Sequence, residues 1–152
     1  MKKLFYLLML PFLLAACSDD KNFSPVEMTL TLDGVTQVND NFYTVAGEDV
    51  SIESLTVKAL DGKNTALANT FFYLNGTPLL GGPGNPFSGT FSTEGLEAGT
   101  YEIGITGNLL QEGVAIQNFI ASYSLVIVES DEDLPENAPE IGTYSQSIQV
   151  GK

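Results

Sequence analysis

Histidine, tryptophan and arginine are all missing from this chain of 152 residues, and cysteine occurs once. Without histidine there is no Ser-His-Asp or Cys-His relay and no imidazole-bound metal. With Cys17 as the one cysteine, no disulfide forms within the chain, so the fold stands on packing alone. Positive charge is scarce as well: six lysines face 19 Asp and Glu, a net charge of −13. Phosphate binding needs clustered Lys and Arg, so neither nucleic acid nor an anionic membrane surface is an expected partner. A helical repeat of useful length is also absent. What remains is a 43% hydrophobic, 16% charged chain long enough for one domain with one core.

The N-terminus is organised as a targeting segment. Met1-Lys2-Lys3 is a basic start, and positions 4–14 form an apolar run broken by Pro11. A bilayer-spanning helix needs about 20 such residues, so this run is a secretory signal core rather than a span. Its exit, Leu14-Ala15-Ala16-Cys17, resembles the lipobox of bacterial lipoproteins, where an aliphatic and two small residues precede a Cys. The resemblance implies cleavage between Ala16 and Cys17, and acylation of Cys17 on its sulfur and its new amine. The partner it implies is a membrane, reached through those acyl chains. One chain binds marginally, at about 0.8 kcal/mol per buried CH₂, whereas two or more anchor stably.

Loss of Lys2 and Lys3 leaves Lys21, Lys58, Lys63 and Lys152 against 19 acids, a mature net charge of −15. Directly after Cys17, Ser18-Asp19-Asp20-Lys21-Asn22 is similar to the export signal of Gram-negative lipoproteins displayed on the cell surface. That likeness implies a lipid-anchored location at the outer membrane, exposed outward; a merely solvated tether is the other reading of the same residues. Either way, 18–25 spans at most about 30 Å, which keeps the folded part close to its membrane.

From Val26 onward, period-2 alternation recurs between turn signals. Val26, Met28, Leu30 and Leu32 share one face, and Asp33-Gly34 predicts a two-residue turn to a hairpin partner at 35–38. Val50 and Ile52 are out of phase with Leu55, Val57 and Ala59, so a bulge is expected at Glu53-Ser54. Positions 80–86 hold three Gly and two Pro and are expected to be irregular. Tyr101, Ile103 and Ile105, then Tyr123, Leu125 and Ile127, should face inward on two late strands.

About seven or eight short strands in roughly 100 residues is the pattern of a sandwich. Gly99-Thr100-Tyr101-Glu102-Ile103-Gly104-Ile105, with Phe91 and Leu96 before it, resembles the late strands of immunoglobulin-like and PKD-like domains. Where the PKD pattern has Trp and a Gly-Asp-Gly turn, this chain has Phe72-Tyr73-Leu74-Asn75-Gly76. The resemblance implies an all-β, immunoglobulin-like β-sandwich over 26–129, after a signal peptide at 1–16 and a lipidated tether at 17–25. Residues 130–152 form an acidic linker with a possible terminal strand, alternating at Tyr144, Ile148 and Val150. That strand either returns to an edge of its own sheet or adds to a partner's.

No reaction is signalled. Glu48-Asp49 and Asp131-Glu132-Asp133 are clusters of carboxylates, but adjacent acids on a strand point to opposite faces, and solvated charge accounts for them. Neither a calcium loop nor a Gly-Lys-Ser/Thr phosphate loop is present, so no cofactor or metal is expected. One stretch suggests recognition. In Phe71-Phe72-Tyr73-Leu74, if Phe72 and Leu74 enter the core, Phe71 and Tyr73 face outward, where they either stack on a glycan or protein ligand or are covered by a neighbouring segment. The expectation is a non-catalytic binding or adhesion module, with a structural assembly component using C-terminal strand pairing as the alternative; an enzyme working with carboxylates alone comes third.

Overall fold

Alternation at every second position puts Val26, Met28, Leu30 and Leu32 on one face of an extended chain. In the computed structural model, which describes residues 23–83, 87–136, 141–148 and 150, they lie on β1 (Val26–Asp33), and all four are completely buried. The chain continues through β2 (Thr36–Val38), β3 (Asn41–Val45), β4 (Asp49–Ala59), β5 (Thr65–Leu74), β6 (Thr77–Pro83), β7 (Phe87–Ser92), β8 (Gly99–Gln111), β9 (Val114–Val128) and β10 (Ile141–Ile148). A single turn of 3-10 helix at Asp131–Asp133 is the one helical element among the described residues.

The strands make an all-β sandwich of two sheets. One has the order β10-β1-β4-β7, and the other β2-β3-β9-β8-β5-β6. Every neighbouring pair is antiparallel except β3 and β9, which run parallel from Asn41 opposite Ser124 to Val45 opposite Val128. The inner faces meet in one core. Met28, Leu30, Leu32, Ile52 and Leu55 come from the smaller sheet, and Phe42, Phe72, Ile103, Ile105, Leu125 and Ile127 from the larger. Phe72 and Phe87 link the sheets with ring centroids 5.1 Å apart.

Local phase explains several details. The β4–β7 register slips between Ile52 and Leu55, so the expected bulge is there and both residues stay in the core. Asn75 (φ 46°) and Gly76 (φ 80°) close the β5–β6 hairpin with two left-handed residues, which matches the twist of the flanking strands. Thr93, fully buried between β7 and β8, holds a neighbouring loop. Its hydroxyl lies 2.8 Å from the Glu48 carbonyl oxygen and 3.2 Å from that of Val45, and accepts the Gly47 N–H at 2.9 Å. Where the chain then enters β8, Tyr101 donates its hydroxyl to the Glu97 carbonyl at 2.8 Å.

Two expectations fail for reasons of pairing. Positions 35–38 do not form a hairpin with β1. Both edges of β1 are taken, by β4 and β10, so after Gly34 (φ 77°) the chain crosses to the other sheet and β2 pairs with β3. Nor are positions 80–83 irregular: they complete β6, which among the described strands pairs with β5 alone. An edge strand tolerates proline and glycine because its outer backbone groups bond to no neighbour. Residues 84–86, the rest of that stretch, lie outside the described residues, as do the signal segment, Ala16 and Cys17.

The C-terminal strand lies against β1 over its whole length, from Val26 opposite Ile148 to Asp33 opposite Ile141. Two side-chain contacts fasten it to the other sheet. Gln37 accepts the Thr143 N–H at 2.7 Å, and Gln146 donates to the Ser122 carbonyl at 2.9 Å. Gly142 sits under the Phe42 ring, with no room for a Cβ.

Candidate functional site

Phe72 and Leu74 are buried, so the pleat of β5 turns Phe71 and Tyr73 outward, as the sequence suggested. Phe71 is 46% exposed, and Tyr73 is half-buried. Register places Phe71 in a row that runs Gly81, Phe71, Thr106, Ile120 across β6, β5, β8 and β9. The Phe71 ring lies across Gly81 so closely that a Cβ there would collide with it. Glycine on this edge strand therefore gives the ring a flat seat. In the next row Tyr73 stands between Pro78 and Gly104, with a Cβ at position 104 coming no nearer than 3.8 Å to the Tyr73 Cβ. Ile120, at 73% exposure, ends the row on the far side. The result is an open shelf of two apolar side chains about 10 Å apart, separated by Thr106, with a tyrosine alongside.

A second feature lies beside β9 where β3 begins. Asp40, Tyr101, Glu102, Tyr123, Tyr144 and Gln146 line an open groove of about 400 Å³. Tyr123 and Tyr144 meet edge to face at 5.9 Å, and the Tyr123 hydroxyl donates to the Met28 carbonyl at 3.2 Å. Burial of Tyr123 pushes its pKa up to about 12 from an ordinary 10.0, although the Gln146 side chain acts the other way. The groove holds aromatic edges, hydroxyls and two carboxylates, and no cation among the described residues. Sequence reasoning missed it because its residues come from β8, β9, β10 and the β2–β3 turn, and nothing local links Asp40 to Tyr144. Alternation did mark Tyr101 and Tyr123, but only as core.

The carboxylate clusters stay apart from both features. Glu48 and Asp49 are exposed, and so are Asp131, Glu132 and Asp133. Among the described residues, no group of three His, Cys, Asp or Glu side chains is placed to hold a metal ion. Asp61, in the β4–β5 turn, has its carboxyl held below the usual range, first by the Ser24 hydroxyl and then by the Lys63 backbone N–H. A scan against protein-family models matches none of them, and a search among curated proteins finds no match.

Proposed function

We propose that this chain is a lipid-anchored surface lipoprotein of the outer membrane, whose mature part is an immunoglobulin-like sandwich acting as a non-catalytic binding or adhesion module for a glycan or a protein. For the anchor, the support is Leu14-Ala15-Ala16-Cys17 behind a basic, short apolar start. For the fold, the support is strand order. With β1, β4 and β7 as strands A, B and E, and β5, β8 and β9 as C, F and G, the two sheets take immunoglobulin-type neighbours, and the parallel β3–β9 pair is a split first strand lying beside strand G. The Tyr101–Glu97 bond at the E-to-F connection is a tyrosine-corner geometry.

The observation that carries the binding role is the uncovered Phe71 on a flat, mostly neutral shelf. A planar aromatic beside a hydroxyl and a glycine suits stacking on a sugar face or a peptide better than it suits any reaction. Two measurements test the proposal. Cys17→Ala should abolish acylation and membrane fractionation, and membrane association that persists in that variant contradicts the anchor. Phe71→Ala with Tyr73→Ala, on a glycan array and against envelope proteins, should remove whatever the native protein binds; unchanged binding contradicts the shelf.

A second reading rests on one observation. Among the described residues, the outer edge of β9 along 114–123 pairs with no strand, and the Phe119–Val150 bridge, Gln146 and Tyr144 reach it. An assembly component could accept a partner's strand there. Dependence of the oligomeric state on that edge, seen as loss of oligomers when a proline replaces Gln117, would favour it.

A further inference from the structure

Net charge argues against a lipid surface as a partner for the chain taken whole, but the fold distributes that charge unevenly. At the end of the sandwich where the tether enters, Ser24 is buried and clamped. Its N–H donates to Gln111 Oε1 at 2.7 Å, Lys63 Nζ donates to its hydroxyl at 3.0 Å, and the neighbouring Pro25 carbonyl accepts the Leu60 N–H at 2.9 Å. The same pole carries the β4–β5 turn, the β8–β9 hairpin and the end of β10. Lys58 and Lys63, the two lysines among the described residues, are both there. Three acids among the described residues share the pole with them. Glu27 lies across from Lys58, Asp61 is 3.5 Å from Lys63, and Glu112 bonds Asn64. The opposite pole holds Glu48, Asp49, Glu94, Glu97, Asp131 and Asp133, with no lysine among the described residues.

Apolar exposure follows the same axis. Leu60 (60%), Leu110 (46%) and Ile116 (54%) are large, exposed and at the tether pole. Ile141, beside Asp33, is the one comparable side chain at the other pole among the described residues. Reach decides which pole meets lipid. Cys17 to Phe23 spans at most about 20 Å, whereas the 15 residues of β9 run about 50 Å from pole to pole. A clamped tether of that length keeps the acidic pole away from any surface that holds Cys17.

We propose that this near-neutral, apolar, lysine-bearing pole seats on the phospholipid surface that holds the acyl chains, so that the sandwich stands upright with its acidic pole outward. Leu60, Leu110 and Ile116 enter the headgroup region, and the lysines meet lipid phosphates. The inference rests on acylation of Cys17. Because that acylation uses the one native cysteine, a second cysteine can be labelled alone.

The test uses the full acylated chain in vesicles of phosphatidylethanolamine and phosphatidylglycerol, with an environment-sensitive fluorophore at Glu112→Cys or at Glu97→Cys. A lipid-borne spin-label quencher should remove about half of the emission at position 112 and leave position 97 unquenched, since the seated pole enters about 5–10 Å. Adding Leu110→Ser and Ile116→Ser should restore the emission at 112. Equal quenching at both positions, or none at either while the protein still floats with the vesicles, overturns the seating. A chain that carries no lipid on Cys17 and does not float overturns the anchor, and the seating with it.

Discussion

Raising the pH should loosen this sandwich through one side chain, Tyr123. Its ring lies between Phe42 and Tyr144, and its hydroxyl donates to the Met28 carbonyl on the opposite sheet, so the phenol bridges the two layers. Burial raises its pKa from 10.0 to about 12. The folded protein therefore keeps a proton that the unfolded chain has released, and stability falls as pH climbs through the interval between those values. The stabilising contribution is whole below pH 10 and gone above about 12. A change from 10.0 to about 12 corresponds to about 3 kcal/mol, at roughly 1.4 kcal/mol for each tenfold change in the ionisation constant. Urea unfolding at pH 8, 10 and 11 reads the slope, and Tyr123→Phe supplies the control. The variant should lose about 1 kcal/mol at pH 8 for the missing hydrogen bond, yet decline less than the native protein between pH 10 and 11. Parallel declines in the two proteins would refute the reasoning, because the titrating group would then lie elsewhere. Selective carbon NMR of the Tyr123 ring gives the same answer directly, as a midpoint near 12 or near 10.

Three further outcomes concern buried polar groups and close packing. Thr70 is fully buried and its hydroxyl has no hydrogen-bond partner among the described residues, so Thr70→Val should stabilise the protein by about 1–2 kcal/mol; a lower midpoint in thermal unfolding would show that the hydroxyl is satisfied after all. Thr93→Val should cost about 1–3 kcal/mol in the same assay, because it strands the Gly47 N–H and removes the donor to Glu48 and Val45, whereas Thr93→Ser should retain most of the stability. Gly142→Ala should cost about 1–3 kcal/mol, since its Cβ would come within 2.7 Å of the Phe42 ring. Phe42→Leu should relieve part of that cost in a double-mutant cycle, and additive effects would mean that β10 is not packed under Phe42.

Much of the architecture was legible residue by residue. Alternation identified β1, β8 and β9 and their inward faces, and the phase slip between Ile52 and Leu55 located a bulge. That Phe71 and Tyr73 share one face and Phe72 and Leu74 the other was readable from alternation, and the fold decided that Phe71 and Tyr73 are the outward pair. The tyrosine groove was not legible, since Asp40, Tyr101, Tyr123 and Tyr144 meet only once three strands and a turn have been brought together. Thr70 shares the inward face of Phe72 and Leu74 by alternation, but that its hydroxyl meets no partner among the described residues was not legible, because that depends on what the opposite sheet places there.

Which face of each strand turns inward is a local property, because successive side chains point to opposite sides whatever the neighbours are. The amino-acid sequence therefore determined the all-β class and the two-faced strands without reference to topology, whereas the exposure of Phe71 was decided by the fold. Pairing is different, because a strand can join only an edge that no other strand has filled. Tertiary structure alone decided that β2 leaves β1 for the opposite sheet, that β3 runs parallel to β9, and that a Gly- and Pro-rich stretch serves as the edge strand β6. It also gathered Lys58 and Lys63, in an acidic chain, at the pole where the tether enters. Residues far apart in sequence become neighbours there because β4, β5 and β8 all turn or end at the same end of the sandwich.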